Sequence, residues 1–143
     1  MAILIVILSA LWALPTTLAA LVAVLLPWAL KWYKFRECDG LALTWVVNDE
    51  RAPEWLLNRW KGWGGSSLGP FVVLRRSPEE HPEYLHTLAH EHVHVRQGHV
   101  LGPLLPVVYG FLALVCKCLP SMDAYRDNPM EVSARREADK SGA

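Results

Sequence analysis

No charged side chain occurs in Met1–Leu30, although the chain of 143 residues carries 14 Lys/Arg and 14 Asp/Glu. All of its charge lies beyond Leu30. An apolar run this long exceeds the roughly twenty residues a helix needs to cross a bilayer. Ser9, Pro15, Thr16, Thr17 and Pro27 interrupt it, and a kink there is tolerable where neighbouring groups satisfy the freed carbonyls. The run has two readings: a retained anchor over residues 1–30, or a signal peptide cleaved near Thr17-Leu18-Ala19-Ala20. The anchor is favoured, because no basic segment precedes the run and the run continues past any such cleavage site. Lys31, Lys34 and Arg36 come next, interleaved with Trp32, Tyr33 and Phe35. Trp28 and Trp32 stand where an interfacial aromatic belt would put them. The basic flank predicts a single-pass membrane protein, in contact with lipid, whose C-terminal part is cytoplasmic.

Residues 31–143 are enough for one modest domain. The formal net charge is zero, and no Lys/Arg stripe points to nucleic acid as a partner. Cys38, Cys116 and Cys118 make an odd number without framework spacing. They read as free thiols, in keeping with a reducing compartment. Periodicity and turn signals predict an α+β domain. Strands are expected at Leu41–Val47 and Phe71–Arg76, and helices at Pro53–Trp60, Pro82–Gln97, Leu104–Cys118 and Pro129–Lys140. Lys61–Pro70, with its four glycines, reads as plain connection. Leu104–Cys118 is marginal in length for a full span. It fits a buried or membrane-facing hairpin helix better than a second crossing.

All six histidines fall between His81 and His99. Within that stretch lies His90-Glu91-His92-Val93-His94, an H-E-x-x-H. On a helix, residues four apart sit one turn above each other, so the imidazoles of His90 and His94 stand side by side. One Zn²⁺ can bridge them. Glu91 can reach a metal-polarised water without ligating, and so serve as general base. The helical context is present: Leu85, Leu88, Ala89, Val93 and Val95 are apolar filler, Pro82 suits a first turn and Gly98 a stop. Without that context the stretch would read as a His-rich surface tract. His86 returns to the ligand face one turn earlier, Gln97 returns to it seven residues after His90, and His92 points away. Arg96 is expected to pair with an acid.

Leu88–Gln97 resembles the active-site helix of small zinc metallopeptidases with an H-E-x-x-H-x-x-Q core. Asn128-Pro-Met-Glu131-Val-Ser-Ala134 is similar to the N-P-x-E-x-x-A segment that supplies the third ligand in gluzincin-type members of that group. The resemblance covers about half the chain, Leu68–Asp139. It implies Zn²⁺ held by His90, His94 and Glu131, a catalytic Glu91, a peptide or protein substrate, and a strand flanking the cleft. From the residues alone, Asn128, Pro129 and Glu131 also read as cap, first residue and capping-box acid of a helix. Asp127, His99 and Glu137 are alternative third ligands. Asp123 or Asp139 is a candidate to orient an imidazole, and Tyr125 to stabilise an oxyanion. The resulting expectation is a membrane-anchored zinc metallopeptidase. The alternative is a membrane-anchored protein whose zinc is structural.

Overall fold

The computed structural model describes residue 12, residues 14–40 and residues 42–141. The elements run α1 (Leu14–Ala29), β1 (Tyr33–Asp39), β2 (Ala42–Val47), α2 (Glu54–Arg59), β3 (Gly65–Leu68), β4 (Phe71–Leu74), α3 (Tyr84–Leu101), α4 (Leu105–Cys118) and α5 (Pro129–Lys140). A 3₁₀ turn, Gly102–Leu104, joins α3 to α4. The domain is α+β, as expected.

The four strands lie in the order β1-β2-β4-β3. β2 and β4 run parallel, with Leu43 beside Phe71, while β1 and β3 pair antiparallel on the outside. Side chains on a strand alternate between faces, and here the alternation separates two cores. Trp45, Val47, Phe71 and Val73 join Ala20 and Val24 of α1 and Leu56 of α2 on one face. Ala42, Val46, Val72 and Leu74 meet Val95 of α3 on the other.

Two expectations are corrected. Tyr33–Asp39 is a strand rather than only a basic membrane flank: Tyr33 is buried, Lys34 is exposed, and a bulge falls between Phe35 and Glu37. Arg36 is drawn to Glu79 at 3.0 Å. Gly65–Leu68, expected as connection, is β3, one of the two edge strands. Phe71–Leu74, within the strand expected at Phe71–Arg76, is an inner strand with all four residues buried. The reason is packing: an apolar strand is buried on both faces where helices cover both, and here α1 and α2 cover one face and α3 the other.

The expected N-terminal anchor lies partly outside the described residues. Its described part, α1, packs on the sheet through Ala20 and Val24, while Leu14, Leu18, Val22, Leu25 and Leu26 on its other side are exposed. Among the described residues, one helix is long and apolar enough to cross a membrane by length and composition. It is the run Tyr84–Cys118 rather than the N-terminal helix. Only the second half of that run is apolar. The first half, α3, carries the histidines and packs against the sheet through Val95. The two halves bend at Gly102, whose φ of 54° suits glycine. A Cβ at Gly102 would overlap the Trp12 ring.

Candidate metal centre

Helix α3 places His90 and His94 as the i, i+4 spacing requires. Their Nε2 atoms are 3.1 Å apart. Helix α5 brings the third group from the other end of the domain. Glu131 Oε2 lies 3.2 Å from His90 Nε2, and Oε1 lies 3.3 Å from His94 Nε2. Two donors each about 2.0–2.1 Å from one tetrahedral ion are themselves about 3.3 Å apart, so these spacings suit a shared cation. The three residues form the one group of metal-ligating side chains found among the described residues, and they can hold a metal ion.

The local sequence explains how Glu131 gets there. Pro129 opens α5, and the fully buried Asn128 caps it by accepting from the Met130 N–H at 3.0 Å. The Asn128 amide also donates to the Tyr109 carbonyl at 3.3 Å, which ties the cap to α4. The capping-box reading of Glu131 is corrected, because its carboxylate turns inward and is 4% exposed. Tyr109, on α4, donates to Glu131 Oε1 at 2.9 Å. Burial by itself would raise the pKa of Glu131. The surrounding hydrogen bonds from His90, His94 and Tyr109 outweigh it and hold the carboxyl well below the usual range. Glu131 Oε2 is nevertheless left without a hydrogen-bond partner of good geometry. A buried carboxylate oxygen without a well-aligned donor, beside one imidazole nitrogen while its partner oxygen faces another, is a place a cation fits.

Glu91 stands apart from this trio, 7% exposed, on the same cavity. Burial pushes its carboxyl upward, while the Ser67 side chain on β3 pulls the other way. The cavity encloses about 890 Å³ between β3, α3, α4 and the loop before α5. Its walls include Ser66, Thr87, Leu105, Tyr109, Tyr125 and Arg135. Glycine makes the wall close-fitting. A Cβ at Gly65 would come within 3.0–3.1 Å of Thr87, Glu91 and Leu74 side-chain atoms.

The alternative candidates are engaged elsewhere. Asp127 accepts from the Asp123 N–H, and Asp123 from the N–H groups of Tyr125 and Arg126. Glu137 pairs with Lys140 at 2.7 Å. Asp139 meets His86, which lines the cavity, at 2.9 Å rather than a ligand imidazole. His92 faces Asp39 on the opposite side of α3. His99 lies outside the trio, and Arg96 forms no ion pair among the described residues, against expectation. Gln97 does return to the ligand side, with its Oε1 2.8 Å from His94 Nδ1. Tyr109 and the Gly64–Leu68 wall are the parts of the site that sequence reasoning missed. The one available signal was a lone hydroxyl inside the apolar stretch of α4.

Compared with protein-family models, with curated proteins and with solved structures, the chain finds no match in any of the three. The chemistry of the site therefore rests on its own geometry.

Proposed function

We propose that this chain is a membrane-anchored zinc metallopeptidase of gluzincin type. The observation that carries the reading is the combination of a three-donor cluster with a separate buried carboxylate, Glu91, on one cavity. Two imidazoles and one carboxylate are a ligand set suited to catalytic zinc, whereas a structural zinc is normally closed by four protein ligands. In this proposal His90, His94 and Glu131 hold the ion, which supplies Lewis acidity toward a water and a carbonyl. Glu91, too buried to be well hydrated, takes the proton from the attacking water and later gives it to the leaving amine. The edge strand β3 supports an extended peptide by strand addition, and Tyr109 keeps Glu131 aimed at the imidazoles.

The membrane part rests on apolar surface. Val107, Phe111 and Leu114 are exposed along the outer side of α4, while Leu105 and Tyr109 line the cavity on its inner side. Exposed apolar stripes on α1 and α4, with Lys31 and Lys34 exposed at the end of α1, support insertion with the catalytic domain on the cytoplasmic side. On this reading the substrate is a polypeptide presented at the membrane surface. Removing residues 1–30 should then release the chain from membranes, unless α4 alone retains it.

The test uses the full chain in detergent, loaded with zinc and given a quenched-fluorescence peptide library. Glu91→Gln should keep one zinc per chain and lose hydrolysis by a hundredfold or more. Equal activity of wild type and Glu91→Gln would sink the proposal. So would no hydrolysis by a zinc-loaded wild type, which would leave the structural-zinc reading.

A further inference from the structure

Gln97 occupies a position that the metal reading does not by itself explain. It lies on α3, seven residues after His90, yet it makes contacts in two directions. Its Oε1 is 2.8 Å from His94 Nδ1. Its Nε2 is 2.9 Å from Ser133 Oγ and 3.3 Å from the Met130 carbonyl, both on α5. Ser133 Oγ is in turn 2.8 Å from the Met130 carbonyl.

These contacts have only one consistent direction. A carbonyl oxygen only accepts, so the Ser133 hydroxyl donates to the Met130 carbonyl and its oxygen accepts from elsewhere. The group facing it must therefore be the amide NH₂ of Gln97. The Gln97 oxygen then faces His94 and accepts from Nδ1. With Nδ1 protonated toward Gln97, Nε2 is the nitrogen left for a cation: it hydrogen-bonds Glu131 in the metal-free protein and offers its lone pair once that proton is lost. Nε2 is the atom that stands 3.1 Å from His90 Nε2 and 3.3 Å from Glu131 Oε1.

We propose that Gln97 and Ser133 form a positioning relay that fixes the ring proton of His94 on Nδ1 and clamps α3 to α5. The proposal rests on the metal reading of the trio and extends it. Glu131 and Ser133 sit on the same turn of α5, so the helix that supplies the third ligand also sets the tautomer of the second. The orientation of the His94 ring is thus set before any ion arrives, and only the Nε2 proton has to leave. Partners that orient a ligand imidazole in this way are typically worth ten- to a hundredfold in metal affinity.

Three variants of the full chain in detergent test the relay: Gln97→Leu, Gln97→Glu and Ser133→Ala. Zinc affinity is read by chelator competition, and the His94 tautomer in the metal-free protein by ¹⁵N shifts of the imidazole. Gln97→Leu keeps the bulk of the side chain but has no acceptor. It should weaken zinc binding ten- to a hundredfold and release the His94 proton from Nδ1. Gln97→Glu restores an acceptor, and the Ser133 hydroxyl can turn to donate to it. It should bind zinc within a few fold of wild type, which a merely structural role of Gln97 would not predict. Ser133→Ala should show an intermediate loss.

The proposal is overturned if Gln97→Leu binds zinc as tightly as wild type, or if the leucine and glutamate variants weaken equally. It is also overturned if Nδ1 of His94 carries no proton in the wild type. That last measurement decides the matter even if Gln97→Leu does not fold. A wild type that binds no zinc but holds the proton on Nδ1 would sink the metal reading and leave the relay standing.

Discussion

The two faces of the sheet are built on different principles. On one, large aromatic and branched side chains of β2 and β4, Trp45 and Phe71 among them, interlock with α1 and α2. On the other, smaller aliphatics such as Ala42 and Val72 meet α3. The first face stabilises through volume. The second gives up volume for closeness, and Gly64 and Gly65 let β3 lie against Thr87 and Glu91. The polar groups that α3 buries there, Glu91 among them, each need a partner. The difference teaches that stability and chemistry are assigned to opposite sides of one four-stranded sheet.

If the division holds, Phe71→Ala should have the largest effect on folding. Removing a ring that is 3% exposed should cost about 3–5 kcal/mol in denaturant unfolding. The loss should be the same with and without zinc. A loss seen only in the zinc-loaded protein would break the comparison, because it would tie the apolar face to the metal. Glu131→Ala addresses the other face. At free zinc a thousand times the dissociation constant, binding stabilises a fold by about 4 kcal/mol. This variant should abolish that zinc-dependent gain in unfolding midpoint. A gain of unchanged size in Glu131→Ala would remove Glu131 from the ligand set.

Closeness is tested by Gly65→Val. Its side chain has no room between Thr87, Glu91 and Leu74, so β3 must shift, at roughly 1–3 kcal/mol. Neutral behaviour in a thermal or denaturant melt would show that the tight β3–α3 approach is not required. The smallest expected effect belongs to Asn128→Ala. Losing the cap of α5 should cost about 1 kcal/mol while zinc binding survives. A complete loss of zinc in that variant would instead make the cap part of the metal site.

Much of the site was legible because its logic is local. H-E-x-x-H states a helical spacing, and α3 realises it. Asn128-Pro129 states a helix start, and α5 runs from Pro129 to Lys140 as expected. The edge strand β3 was not legible. Gly65-Ser-Ser-Leu68 has little intrinsic strand preference, and it is extended because β4 pairs with it. In the sequence β1 looks like a membrane flank because Lys34 and Arg36 stand among aromatics. They form a strand because they pair with β2, Tyr33 beside Val47 and Phe35 beside Trp45.

The sequence by itself determined which residues can bind a cation and which helices present them, because side-chain chemistry and helical periodicity are properties of short segments. Only the tertiary structure decided that Glu131, rather than Asp127, His99 or Glu137, faces His90 and His94, that Tyr109 from an apolar helix supports it, and that Gln97 reaches Ser133. Those choices depend on how α3, α4 and α5 pack. Packing is set by contacts between residues far apart in sequence, such as Gln97 and Ser133 or Tyr109 and Glu131, which no local pattern encodes.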